Sequence, residues 1–150
     1  MECDQMDTID VKYYERFPSV LRNALLSGKV CFSATLKQRY ENLIVYRGVK
    51  YTKSKTFIDK NDFRSNIERK MRNPFVTAYE DKIESYSCSC YLNIDEMKMY
   101  AKFPRKNKAI AKGLIKQEDG PIDIDDDTSH VNLYLFEDVD LSDRFEVVEI

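Results

Sequence analysis

The first residue with a marked chemical capacity is an arginine that directly follows an apolar run. Leu43 to Tyr46 read LIVY, and Arg47 and Gly48 come next in the chain. A guanidinium keeps its charge at physiological pH and offers parallel hydrogen bonds to phosphate oxygens. A glycine beside it allows a ligand to approach the backbone. The pair predicts an anion-binding position, with a salt bridge to the acidic C-terminal third as the alternative.

Two further groups of polar side chains lie at strand-like positions later in the sequence. Ser87 and Ser89 form a Ser-x-Ser pair ahead of a helical segment, and His130 and Asn132 form a similarly spaced pair near a late strand. Glu137 is the carboxylate nearest to that late pair, so these three residues are candidates for a reaction centre. The alternatives are serines that face water on an ordinary strand and a late pair that hydrogen-bonds within a turn.

These side chains must be positioned by leading helices and later strands. Apolar spacing predicts a helical segment over 12–27, divided at Pro18, and further helices over 35–40, 61–71 and 93–103. Strands are predicted over 43–49, 85–92, 108–116, 130–137 and 145–150, with a turn at Gly120-Pro121 and a solvated acidic loop at 123–127. The predicted class is α+β, with N-terminal helices followed by a mixed, mostly antiparallel sheet. The 150 residues correspond to one domain, 1–150, with a helical part at 1–42 and a sheet-containing core at 43–150.

The charges are distributed unevenly, although the formal net charge is only -2. Residues 47–72 contain nine Lys and Arg against three Asp and Glu, and 98–116 form a second basic segment. Residues 117–150 contain one basic residue, Arg144, against twelve acidic ones. Basic segments favour a phosphate-bearing ligand or nucleic acid as partner. The basic helix predicted after Asn61 is a candidate lid or target-binding element, or else a solvated helix with internal ion pairs.

Several common sites are excluded because their motifs are absent. The chain has no glycine-rich dinucleotide fingerprint, no P-loop, no H-E-x-x-H motif and no EF-hand spacing in its acidic loop. Cys88 and Cys90 have one histidine, His130, forty residues away, so no metal site is expected. The acidic N-terminus does not resemble a signal peptide, and no apolar run approaches about 18 residues. We therefore expect a cytoplasmic protein with reduced cysteines and no membrane partner.

The order of these pieces resembles the ADP-ribosyltransferase fold, in its arginine-serine-glutamate branch. The resembling segments, within about residues 43–150, are Tyr46-Arg47-Gly48, Ser87-Cys88-Ser89 with the helix NIDEMKMYAKF, a strand ending near Gly113, and the late strands up to FEVVEI. The resemblance implies that NAD is bound, with Arg47 at its ribose and phosphate end and Ser87 or Ser89 stiffening the cleft. It implies NAD contacts also for Tyr46, Gly48 and Tyr134, although residue type and position favour a core role for Tyr134.

The third motif of that family differs in this chain. The family has Gln/Glu-x-Glu at the start of a late strand, where this chain has His130-Val131-Asn132. The family's glutamate stabilises an oxocarbenium-like transition state as nicotinamide leaves. The resemblance therefore implies a variant reaction centre formed by His130, Asn132 and Glu137.

Two functions of different classes follow from these observations. The first is a small enzyme of bacterial or phage type that transfers ADP-ribose from NAD to a macromolecule or hydrolyses NAD. It predicts that Arg47→Ala leaves the fold intact and removes NAD binding. The second is a non-catalytic interaction protein that binds a protein or nucleic-acid partner through its charge asymmetry. Binding of that kind to nucleic acid weakens steeply with salt.

Overall fold

The computed structural model describes residues 11–150, in which four α-helices accompany six strands. The helices are α1 (Val11–Tyr14), α2 (Ser19–Leu26), α3 (Asn66–Arg72) and α4 (Ile94–Tyr100). The strands are β1 (Leu43–Lys50), β2 (Cys88–Tyr91), β3 (Lys108–Ile115), β4 (Ile122–Ile124), β5 (His130–Leu133) and β6 (Phe145–Glu149). Short 3-10 helices cover Lys60–Phe63, Ile83–Tyr86, Gln117–Asp119 and Ser142–Arg144. The predicted α+β class is confirmed.

The six strands form one open sheet in the order β4-β5-β2-β1-β3-β6. Every pair of neighbouring strands is antiparallel, so the sheet is not mixed as the sequence suggested. β1 pairs with β3 over its whole length. β1 and β2, in contrast, pair only where Tyr46 lies opposite Tyr91, so the two strands separate beyond that position. The order places β5, β2 and β1 side by side although they are distant in the chain.

One face of the sheet is covered by hydrophobic core. The alternation of β1, β2 and β5 places Val45, Val49, Cys88, Cys90 and Val131 on that face, each at most 2% exposed. Cys88 and Cys90 are not joined by a disulfide, and the hydrogen bond to Cys88 together with burial raises the pKa of the Cys90 thiol. The opposite face carries the side chains of Ser89, His130 and Asn132, whereas Arg47 alternates with Val45 and Val49 and lies on the buried face.

A second cluster of buried residues joins the N-terminal helices to the chain after β5. Pro18 is the N-cap residue of α2, as its position in the sequence predicted. Leu21 and Leu25 lie on the buried face of α2, and Phe17 contacts Phe136 with ring centroids 5.3 Å apart. No helix within residues 11–150 combines the length and apolar character needed to cross a bilayer.

Two helix predictions are wrong: one helix is not formed, and the other is divided into two elements. Residues 35–40 are not helical, because Lys37 forms a β-bridge with Ile122 and Thr35 hydrogen-bonds locally to Ser33. The helix predicted over 61–71 is divided into the 3-10 turn Lys60–Phe63 and α3. Each part begins with its own capping box, at Asp59 and at Ser65, rather than at Asn61 or Asp62.

The strands also differ from the predictions at particular ends. β5 stops at Leu133, since the next amides donate to other segments: Tyr134 N to Pro121 O and Phe136 N to Asp119 O. β2 begins only at Cys88, after the turn Ile83–Tyr86. The acidic segment 123–127 is not wholly a loop, because β4 includes its first two residues.

A buried ion pair fixes the β3–β4 connection, and its loss has a predictable cost. Asp119, only 3% exposed, accepts Nη1 of Arg144 at 2.8 Å, Nη2 at 2.5 Å and the Lys116 amide at 2.7 Å. We expect Asp119→Asn to lower the free energy of unfolding by about 2 kcal/mol, since Arg144 would lose its partner. Urea denaturation measures this. Lys29→Gln, which breaks the exposed Lys29–Glu80 pair, is the control and should leave the midpoint unchanged.

Candidate functional site

Arg47 lies in the gap where β1 and β2 separate. Its guanidinium donates Nε to the backbone O of Asp62 at 2.8 Å, Nη1 to that of Ser89 at 2.5 Å and Nη2 to that of Arg64 at 3.4 Å. The residue is 8% exposed, and it forms no salt bridge within residues 11–150. The alternative role of Arg47, a salt bridge to an acidic residue of 117–150, is therefore not seen. Three of the about five N–H groups of Arg47 hold the guanidinium in place.

Ser89 lies in β2 and Ser87 lies just before it. Both serines hydrogen-bond to the polar residues of β5, Asn132 and His130. The Ser87 hydroxyl donates towards the backbone O of Glu84 at 2.8 Å and Oδ1 of Asn132 at 2.9 Å. The Ser89 hydroxyl contacts Nε2 of His130. Burial lowers the pKa of His130, so its imidazole is neutral at pH 7 and can accept a proton.

A cleft of about 190 Å³ opens beside these residues. It is lined by Arg47, Gly48, Asn66, Arg69, Glu84, Ser87, Ser89, Tyr91, Met97, Ala101, Phe103, Arg105 and Lys108. Four residues singled out in the sequence, Arg47, Gly48, Ser87 and Ser89, therefore share one cleft. His130 and Asn132 do not line the cleft, but they contact the two serines that do.

Four cations, Arg47, Arg69, Arg105 and Lys108, converge on the cleft, and the carboxylate of Asp62 offsets the charges of Arg69 and Lys108 only in part. Arg69 and Lys108 are partly buried, and Arg105 is exposed. Burial, with the charges of Arg47 and Arg105, lowers the pKa of Arg69. Burial and three neighbouring arginines lower the pKa of Lys108 to about 8. Like charges held this close destabilise the free protein, and an anion bound among them would remove the repulsion.

Gly48 also has a packing role that the sequence did not indicate. A Cβ at this position would lie 3.1 Å from Cζ of Phe103 and 3.6 Å from Cε of Met97. The space above the glycine is thus filled by side chains of α4 and the loop after it. Gly48 allows Phe103 to pack closely on one side of the cleft, and Gly48 itself still lines the cleft.

The remaining predicted residues lie outside this cleft. Tyr46 is half-buried beside Tyr91 and Lys112 in the sheet. Tyr134 is a core residue, 1% exposed, with its ring centroid 4.9 Å from that of Phe32. The exposed Glu137 lines a separate small cavity next to Lys60, whose Nζ donates to its backbone O at 2.8 Å. The sequence interpretation that joined Glu137 to His130 is not supported by this placement.

Sequence reasoning did not single out Glu84, Arg69, Arg105 or Lys108 as residues of one site. The two basic segments contain the three cations, but charge counting could not select them from their neighbours. α3 brings Arg69 to the cleft, and an ion pair between Arg64 and Glu68, of the kind expected for a solvated helix, lies in the same segment. Glu84 carried no signal, because it lies in an irregular turn before β2.

The part of the chain that the structure describes contains no group of three or more His, Cys, Asp or Glu side chains placed to hold a metal ion. Comparisons with protein-family models, with curated proteins and with solved structures found no match for this chain. The function must therefore be argued from the site itself.

The charge state of Lys108 should control anion binding. With its pKa at about 8, the ammonium is present at pH 7 and mostly lost at pH 9. We expect sulfate, whose charge is constant over this range, to bind roughly fivefold more weakly at the higher pH. The ligand-free protein should show the opposite sign: the folded pKa lies below the unfolded one, so its stability rises with pH between about 8 and 10.

Calorimetric sulfate titrations and denaturant midpoints at each pH measure the two effects. Lys108→Met should remove both pH dependences without changing the fold. An unchanged pH profile in that variant would contradict the assignment to Lys108.

Proposed function

We propose that this protein binds NAD in the cleft and is an ADP-ribosyltransferase-like enzyme, which transfers ADP-ribose to a macromolecule or hydrolyses NAD. The observation that carries the proposal is the convergence of three distant segments. Arg47 on β1 bonds to the Ser89 backbone, and the Ser87 and Ser89 hydroxyls bond to Asn132 and His130 on β5. The proposal is supported by this convergence, since the resembling family draws its arginine and serines from separate strands in the same order.

The chemistry of the cleft suits such a ligand. The pyrophosphate of NAD carries two negative charges, and Arg47, Arg69, Arg105 and Lys108 supply hydrogen-bond donors and, at pH 7, positive charge. The nicotinamide ribose would then extend towards the serines. When the bond between ribose C1 and nicotinamide breaks, nicotinamide leaves with the electron pair and positive charge develops on the ribose.

A carboxylate is the group best suited to stabilise that positive charge. Glu84 is the one carboxylate among the described residues that line the cleft, and its backbone O accepts the Ser87 hydroxyl. His130 and Asn132 carry no negative charge at neutral pH. We therefore assign the stabilising role to Glu84.

Glu84→Gln should lower the rate of nicotinamide release by about 100-fold or more and leave NAD binding nearly intact. The exposed Glu84 side chain makes no hydrogen bond within residues 11–150, so the fold should be unaffected. Release is followed by chromatography and binding by calorimetry. Asp81→Asn, an exposed neighbour outside the cleft, is the matched control. Equal release by wild type and Glu84→Gln would remove Glu84 from the reaction.

The proposal itself is tested by mixing purified protein with NAD and measuring thermal stability and free nicotinamide. A ligand that binds only the folded state raises the melting temperature. Arg69→Gln should reduce that rise, whereas Arg72→Gln on the same helix but outside the cleft should not. If NAD neither stabilised the wild-type protein nor gave rise to free nicotinamide, the proposal would be overturned.

The second candidate function is a binding protein without turnover. It is favoured by the neutral side chains of His130 and Asn132 at the position where the resembling family carries its glutamate. Stabilisation by NAD without release of nicotinamide would favour this binding function over the enzyme.

A further inference from the structure

A second cavity, of about 470 Å³, adjoins the cleft. The two share Arg47, Gly48, Arg69, Arg105 and Lys108, so they form one depression, which we call the cationic trough. The second cavity adds three lysines and two asparagines to the lining: Lys50, Lys55, Lys106, Asn61 and Asn107. The trough therefore extends well beyond the wall formed by the two serines.

The acidic residues of the second cavity are occupied within the protein. Asp62 accepts Lys55 Nζ at 2.7 Å and the amides of Asp59 and Lys50 at 2.9 Å and 3.2 Å. Asp59 accepts the Asn61 amide at 2.9 Å. Lys55 is equally committed, since its Nζ also donates to two backbone carbonyls. These contacts hold the loop in place, and the charge of Asp62, although paired with Lys55, also offsets part of the positive charge at Arg69 and Lys108.

The other cations of the trough have no such partners. The side chains of Lys50, Arg105, Lys106 and Lys108 form no hydrogen bond or ion pair with any residue of 11–150. The two charges of a pyrophosphate cannot compensate all of them together with Arg47 and Arg69. A ligand that fills the trough must carry a longer series of negative charges.

An aromatic pair at the cleft end indicates what kind of polyanion this is. Tyr91 lines the cleft, and its ring stacks on that of Tyr100 at 9° with centroids 6.4 Å apart. Tyr100 is 52% exposed and offers an open ring face. Nucleotide bases stack on such faces, and arginines bind phosphates in bidentate fashion. An acidic protein would use the charges and not the rings.

We propose that the cationic trough binds single-stranded nucleic acid, which is the acceptor of the ADP-ribose. The acceptor role rests on the proposed function. In the reaction the bond between ribose C1 and nicotinamide breaks, and nicotinamide leaves with the electron pair. A nucleophilic nitrogen or oxygen of the nucleic acid forms the new bond to C1, and any proton on that atom passes to water. No oxidant or reductant is needed.

The test uses the full-length protein and a fluorescent single-stranded oligonucleotide of about 12 nucleotides. We expect binding that weakens steeply with salt, by a slope of about -3 in log K against log salt if four phosphates are held. Arg105→Glu with Lys106→Glu should weaken binding at least about tenfold. The charge-matched control, Arg39→Glu with Lys112→Glu, alters exposed residues outside the trough and should change it less than about twofold. Tyr100→Ala should weaken binding roughly fivefold or more.

Incubation of the complex with NAD labelled in its ADP-ribose part then tests the acceptor role. Transfer of label to the oligonucleotide is the expected result, and its loss in the Arg105→Glu, Lys106→Glu protein would tie it to the trough. Nicotinamide release without oligonucleotide binding would overturn this inference and leave the proposed function standing. Binding without label transfer, or without any response to NAD, would overturn the acceptor role. Equal binding of poly-glutamate at the same salt would point to an acidic protein instead.

Discussion

Replacing Arg47 by alanine is expected to abolish NAD binding and also to lower the free energy of unfolding by about 3 kcal/mol. The guanidinium satisfies the backbone oxygens of Asp62, Ser89 and Arg64 in a gap of the sheet that is largely closed to water. Alanine would leave these acceptors without their donors. The sequence led to the expectation that the fold would be unaffected, and these three bonds predict a loss of stability instead.

Loss of fold and loss of the ligand contact must be separated in this experiment. Arg47→Lys keeps the charge but offers a single nitrogen, so we expect intermediate stability and weak binding. Urea denaturation gives the stability, and calorimetry with NAD at low temperature, where circular dichroism shows each variant folded, gives the affinity. Wild-type affinity in either folded variant would remove Arg47 from the site.

Gly120→Ala is expected to be the most destabilising single substitution outside the cleft, with a loss of at least about 4 kcal/mol. Gly120 has φ of 145°, and a Cβ there would overlap the backbone oxygen of Tyr134. Its own oxygen also accepts the Tyr40 hydroxyl at 2.6 Å. The substitution would therefore disturb the junction of β4 with the segment after β5.

Gly28→Ala is the matched control for that effect. Gly28 has φ of 77°, but nothing lies within 4 Å of the added Cβ. The control should lose only about 1 kcal/mol, the cost of a left-handed conformation for alanine. Chemical denaturation of both variants gives the difference, and equal losses would contradict the steric explanation.

The sequence predicted the central strands better than the edges of the fold. β1 and β3 lie within one residue of their predicted ends, since their apolar pattern reflects burial of one strand face. The late strand was predicted too long, because Tyr134 and Phe136 continue the alternation while their amides bond to other segments. Helix 35–40 was wrong because pairing of Lys37 with Ile122 is a long-range contact that local spacing does not show.

The same distinction applies to the candidate site. Arg47, Ser87 and Ser89 could be selected from local sequence. Arg47 ends an apolar run beside Gly48, and the two serines form a Ser-x-Ser pair in a predicted strand. Arg69 and Lys108 could not be selected in this way, since their meeting depends on how α3 packs beside β3. A contact between residues far apart in the chain is decided by tertiary packing, and residue types alone do not encode it.

The single paired position between β1 and β2 makes the sheet two three-stranded halves, β4-β5-β2 and β1-β3-β6, that meet along a narrow seam. Without ligand, the polar connection across that seam consists of one backbone bridge and the Arg47 side chain. A molecule held by the cations on one half and by the serines on the other would act as a clasp. The contacts that hold the ligand in the cleft would then also hold the two halves of the sheet together.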